Sequence, residues 1–206
     1  MNKLKRILRN HHNLDGPNST MLWYPSSGDD VRPLFIDEFN SFIDLRISVC
    51  ILNDTDPSLF RSFVKSGNTK FQFKPEKTEW LTDAVGNSIP ITSYTVYKTE
   101  DKKTVEKKFL FINASNANVL SLLILNRIRI DIIHSRYCIG TEWHNNLVAF
   151  ESTTRQLKVK YIITDENYLS FSPYVREKIE NCFKVTLNYG YCWMTNEDSC
   201  INLHQI

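Results

Sequence analysis

Short apolar runs at 21–24, 45–52, 108–112, 128–133 and 159–163 constrain this chain more than any other feature. Each closes on polar residues, and most are followed by apolar residues at helical spacing. A run of that length with a polar stop reads as a strand buried on both faces. A strand, loop, helix order repeated along a chain builds a mostly parallel sheet covered by helices on both faces. Crossovers in such a sheet are right-handed almost without exception. At 206 residues the chain suits one α/β domain, or one domain with an appended piece.

The first run, Met21, Leu22, Trp23 and Tyr24, is stopped by Pro25 and followed by Ser26, Ser27, Gly28, Asp29 and Asp30. Leu34, Phe35, Phe39 and Phe42 then recur at helical spacing, and Ile47, Val49, Cys50 and Ile51 make a second strand ending in Asn53 and Asp54. The next helix is well punctuated. Asp56 is its N-cap, Pro57 its first residue, Leu59, Phe60, Phe63 and Val64 its apolar stripe, and Gly67 its stop.

Residues 68–107 alternate instead. Phe71 and Phe73, then Ile89 and Ile91, then Tyr94, Val96 and Tyr97 point to an antiparallel insertion, whose exit at 108–112 is apolar enough to be central in the main sheet. A polar loop at 113–118 caps a leucine-rich helix over 119–125, a strand at 128–133 ends at His134, and a helix from Thr141 uses Trp143, Leu147, Val148 and Phe150. A strand at 159–163 ends at Asp165. Ser172 and Pro173 start a helix carrying Val175, Ile179, Cys182 and Phe183, and a final strand lies near 189–194. Residues 1–20 read as a basic helix or arm bearing Lys3, Lys5, Arg6 and Arg9, and 21–206 as a single domain with its insertion.

Composition excludes several classes. Hydrophobic residues at 42% and charged residues at 23% are ordinary for a folded soluble protein, so neither disorder nor a fibrous class is indicated. With 25 basic against 23 acidic residues there is no bulk case for duplex nucleic acid, which usually needs a concentrated basic face. The five cysteines are odd in number and lack CxxC spacing, which fits reduced, buried thiols. Leu4, Ile7 and Leu8 are too sparse for a signal-peptide core, and no apolar run reaches the ~18 residues of a membrane span. A cytoplasmic protein without membrane contact is the expectation; its oligomeric state is not legible.

In a doubly wound sheet the carboxyl ends of parallel strands share one edge, where such folds bind ligands. Placed there are Ser26, Ser27, Gly28, Asp29 and Asp30 after the first strand, Asp54 after the second, His134 and Arg136 after the fourth, and Asp165 and Glu166 after the fifth. Each has a plainer reading, since every strand must end in solvent and every helix wants a polar cap. Asp54 can accept both hydroxyls of a ribose or help to cap the Asp56–Pro57 helix. Gly28 lets a ligand approach the backbone or only supplies a positive φ. Asp29 and Asp30 would repel a pyrophosphate, so a hydroxyl-rich, cationic or phosphate-poor ligand is expected. His134 and Arg136 can polarise a substrate or bind an anion, and Asp165 or Glu166 can act as a base. No His/Cys spacing matches zinc, and GxSxG, P-loop and HExxH patterns are absent from the sequence. Tyr94, Tyr97, Phe71 and Phe73 among lysines can stack on single-stranded bases, or be a two-sided strand with one core face.

The order of elements, with Tyr24, Pro25, Ser26, Ser27, Gly28, Asp29 and Asp30 after the first strand and Asp54 after the second, resembles the class I methyltransferase-like Rossmann group from residue 20 onward. The resemblance implies an α/β Rossmann-like fold and S-adenosylmethionine as cofactor. Its amino acid part would lie along Tyr24 and residues 26–30, its ribose on Asp54, and His134, Arg136, Asp165 and Glu166 would face the acceptor. The chain departs from the group in having one glycine in the first loop, no Asn/Asp-Pro-Pro-Tyr signature near His134 and a long insertion. Two expectations follow. One is a protein binding a nucleoside-type small ligand, with methyl transfer as its chemistry. The other is a non-catalytic binding or inhibitory accessory protein that keeps the scaffold and meets a protein or single-stranded nucleic-acid partner through its insertion or amino-terminal arm.

Overall fold

The computed structural model describes residues 3–11, 20–25, 47–58, 71–83, 85–100, 103–135, 152, 154–164, 168–181, 183–188 and 191–195. Its strands are β1 (Thr20–Tyr24), β2 (Ile47–Asp54), β3 (Phe71–Thr82), β4 (Ser88–Glu100), β5 (Lys103–Asn113), β6 (Ile132–Ser135), β7 (Tyr161–Thr164), β8 (Lys184–Asn188) and β9 (Tyr191–Thr195). They form one sheet in the order β3-β4-β5-β2-β1-β6-β7-β9-β8. The central strands β5, β2, β1, β6 and β7 pair in parallel, and an antiparallel pair extends the sheet on either side. Only β4 and β9 run against the rest. The α/β class and the largely parallel sheet expected from the sequence are present, together with an antiparallel part over the expected insertion.

The central strands take their place because they are apolar on both faces. Val49, Cys50, Ile51 and Leu52 are all fully buried, which only a strand covered on both sides requires. Paired residues share a face, so one face of the sheet carries Met21, Trp23, Val49, Ile51, Leu110, Ile112, Ile133 and Ile162. These pack with the described helices α1 (Lys3–His11), α2 (Asn116–Leu125) and α3 (Pro173–Glu180) in one core. Leu4, Ile7 and Leu8 put the apolar side of α1 into that core, leaving Lys3, Arg6 and Arg9 outside. The opposite face carries Tyr24, Cys50, Leu52, Phe109, Phe111 and His134, also buried.

Helix ends follow capping chemistry. Ser115 accepts the Asn118 N–H at 3.3 Å to open α2, and Ser172 does the same for Val175 N–H in α3, where Pro173 occupies the first turn as its sequence predicts. At the far end of α2, Arg127 has φ 49°, and Arg127 N–H and Ile128 N–H donate to Ile124 O and Leu123 O at 2.9 Å each. This paired closure satisfies carbonyls the helix would leave bare. Lys158, at φ 56°, closes the helical turn at 154–157 similarly, with Val159 N–H on Thr154 O.

Two elements differ from the sequence expectation. The run at 128–133 pairs in the sheet only from Ile132, because Ile128 and Ile130 direct their N–H groups to Leu123 O and Leu157 O. Asp131 instead ties strand starts together: its carboxylate accepts Met21 N–H at 3.0 Å and contacts Arg129 and Lys160 at 3.0 and 3.4 Å. The second departure is β8, which follows α3 directly and pairs antiparallel with β9. The expected helices using Leu34 to Phe42 and starting at Thr141 lie outside the described residues, as does the body of the helix that Pro57 begins.

Candidate functional site at the carboxyl edge

Parallel pairing brings Tyr24, Asp54, Asn113, His134 and Thr164 to one edge of the sheet. The chain runs outward from β1 through β2 to β5, then returns across β1 to β6 and continues outward to β7. The direction of winding therefore reverses between β1 and β6, the position where helices on opposite faces leave a crevice. Tyr24 and His134 meet there, ring centroids 5.0 Å apart and planes tilted by 49°. Tyr24 is 1% and His134 8% exposed, so the pair forms a floor and has only a small edge of the imidazole open.

One strand away, Asn53 and Asp54 alternate between faces with different tasks. Asn53 Oδ1 accepts the Trp23 indole N–H at 2.8 Å, and its Nδ2 donates to Ala114 O at 3.0 Å and Asn116 Oδ1 at 2.8 Å. This buried network fixes the ends of β1 and β2 against the start of α2. Asp54 is half-buried, and its Oδ1 accepts Asp56 N–H at 2.9 Å, folding the chain toward Pro57. With its amide oriented to suit its neighbours, Asn113 Nδ2 donates to Asp54 O at 3.0 Å and Thr55 O at 3.1 Å. Asp56 takes the N-cap position expected of it, accepting Ser58 N–H at 2.8 Å and Ser58 Oγ at 2.6 Å. The Ser58 hydroxyl and N–H hold its carboxyl below the usual aspartate value.

Of the residues expected at the site, the described structure brings Tyr24 and His134 together, with Asp54 on the same face at the end of the neighbouring strand β2. Ser26, Ser27, Gly28, Asp29, Asp30, Arg136, Asp165 and Glu166 lie outside the described residues. Among the described residues no group of His, Cys, Asp or Glu could hold a metal ion, and no helix is long and apolar enough to cross a membrane.

A feature the sequence reading passed over lies on the same edge. A cavity of about 250 Å³ opens over β3, β4 and β5 on the face that carries Tyr24, Asp54 and His134, against Pro57. Thr78 and Trp80 of β3, Thr92 and Tyr94 of β4, and Phe111 and Asn113 of β5 line it. The signal was the two-residue spacing of each pair, which puts both members on one face. Tyr94, considered for base stacking, is buried and stacked on Phe109 at 5.2 Å with planes 6° apart, while alternation puts Tyr97 on the opposite face. The projecting residue is Trp80, 56% exposed. Comparison of the chain with family models, curated proteins and solved structures finds no significant match.

Proposed function

We propose that this protein binds a nucleoside-type small ligand in the crevice between β1 and β6, with methyl transfer from S-adenosylmethionine as the chemistry that best suits the scaffold. The observation that carries the reading is the winding order of the sheet. Counting the five central parallel strands in chain order, they stand third, second, first, fourth, fifth, the order of doubly wound nucleotide-binding sheets, and the reversal falls at Tyr24 and His134. Beyond the fifth strand the last strand, reversed, sits between it and the sixth, which extends the sheet away from the crevice.

In this reading Asp54 receives the ribose hydroxyls and His134 orients or polarises the acceptor across the Tyr24 ring. Asp54 already accepts Asp56 N–H, so ribose hydroxyls would share its carboxylate with that bond or displace it. That engagement also favours the second reading, a scaffold kept for binding without catalysis. Calorimetric titration with S-adenosylmethionine and S-adenosylhomocysteine tests the proposal. Saturable heat and a rise in Tm are expected, with the affinity weakened about tenfold or more by Asp54→Ala and the Tm rise correspondingly smaller. No heat and no thermal shift at millimolar ligand would remove the methyltransferase reading.

A further inference from the structure

We propose that the cavity over β3, β4 and β5, walled by Pro57, is a second binding site whose ligand is a neutral sugar ring. The site is built by the hairpin joining β3 and β4. Ile91 pairs with Ile112 near the end of β5, so Trp80 to Thr82 and Ser88 to Pro90 overhang the edge of the parallel sheet as a two-stranded wall. The wall is held by its turn: Asp83 accepts Val85 N–H at 2.9 Å, Asn87 N–H at 2.8 Å and Asn87 Nδ2 at 2.9 Å, while Gly86 takes φ +92°. A cavity behind such a wall is preformed.

The lining selects the ligand. Among the described residues it carries no charged side chain, although β3 holds Lys74, Glu76, Lys77 and Glu79 in sequence beside it. A phosphate or a nucleic-acid backbone would find no countercharge in those residues, which argues against the phosphorylated and polymeric forms of a nucleotide. What the lining does offer is a projecting indole, the apolar pyrrolidine ring of Pro90 and a pair of hydroxyls. Thr78 Oγ1 and Thr92 Oγ1 are 2.9 Å apart and exposed. Only one of their two hydroxyl protons is used between them, leaving a donor and several lone pairs for a ligand. A pyranose has matching parts, a face of C–H groups for the indole and a rim of hydroxyls for the threonines. At about 250 Å³ the cavity is below the ~300 Å³ where drug-sized pockets begin and suits one ring with its substituents.

The residues that select the sugar, Trp80, Thr78 and Thr92, are not those of the β1/β6 crevice. The Tyr24–His134 pair stands on β1 and β6 and the Trp80 wall on β3 and β4, with four inter-strand spacings, roughly 19 Å, between β4 and β6. Asn113, which donates to Asp54 O, borders both sites.

The test is ¹⁵N NMR titration of the full chain, reading the amides of Thr78, Thr92 and Asn113. The probes are glucose, galactose, N-acetylglucosamine, maltose and cellobiose, with adenosine and glucose 6-phosphate as comparators. At least one neutral sugar should shift those amides saturably. Trp80→Ala should weaken it about tenfold or more, and Thr92→Val, which keeps the shape and loses the hydroxyl, should weaken it severalfold. If Trp80→Ala does not fold, Thr92→Val carries the decision. The proposal is overturned if no sugar in the set moves these amides at high millimolar concentration, if the response survives the substitutions, or if adenosine or the phosphorylated sugar binds more tightly than every neutral one. S-adenosylmethionine titration remains a separate readout, so failure here leaves the crevice reading untouched.

Discussion

At the scale of single residues, the adjacent Asn53 and Asp54 show how a strand end divides its work. Alternation turns Asn53 toward the helix-covered core and Asp54 toward the opposite face. Asn53 is 1% exposed, and it can be there only because both ends of its amide are used. Replacing it with leucine would take away the acceptor of the Trp23 indole N–H and the donor to Ala114 O and Asn116 Oδ1 while keeping the number and branching of heavy atoms. Loss of about 3 kcal/mol of stability is expected, measured by urea denaturation, because desolvated partners lose their bonds and regain no water. A loss below about 0.5 kcal/mol would mean that the network does not lock the strand ends. The sequence placed Asn53 at a strand end but not its role, since its side-chain partners lie 30 and 63 positions away along the chain.

At the scale of elements, local chemistry was legible and edge pairing was not. Ser172 with Pro173, and Asp56 with Pro57, start helices as their sequence states, because a cap and the N–H that donates to it are only two or three residues apart. Strand β8 escaped notice because Lys184 and Leu187 are exposed, so no buried period marks it, and among the described residues β9 alone gives it a partner. The β3–β4 turn rests on similarly local bonds and predicts a pH effect. The side chain of Asn87, then the N–H groups of Asn87, Val85 and Gly86, hold the Asp83 carboxyl below its ordinary value. A carboxyl lowered in the folded state stabilises its turn fully above its unfolded value and loses that contribution as pH falls through the folded one. Hydrogen exchange at Val85 and Asn87, corrected for intrinsic pH dependence, should therefore lose protection below about pH 4, and Asp83→Asn should flatten the change. Equal protection at pH 3 and pH 6 would contradict the assignment. The Trp80 wall should loosen over the same range, since the turn holds it.

At the scale of the molecule, the sheet is stable at its centre and open at its rims, and this separates ligand binding from general stiffening. Each of β1, β2, β5, β6 and β7 has a neighbour on both sides, whereas β3 and β8 have one among the described residues. The fold could be read from the sequence because central strands advertise themselves as continuous apolar runs. The site could be read only as an edge, because its contacts arise from topology: Tyr24 and His134 are far apart in the chain and meet through the β1–β6 pairing. Amides in β1, β2 and β6 should exchange only through global unfolding, and those of β8 through local opening. A ligand held between β1 and β6 stabilises the native state by about 2.7 kcal/mol at a hundred times its Kd, so the central amides should slow about 100-fold. Openings of β8 that leave the crevice intact keep the ligand bound and gain nothing from it. Native-state exchange with saturating S-adenosylhomocysteine should thus slow β1, β2 and β6 while leaving β8 unchanged. Slowing confined to β3 and β4 would move the binding to the cavity over those strands, and unchanged rates throughout would show that this ligand does not bind the native fold.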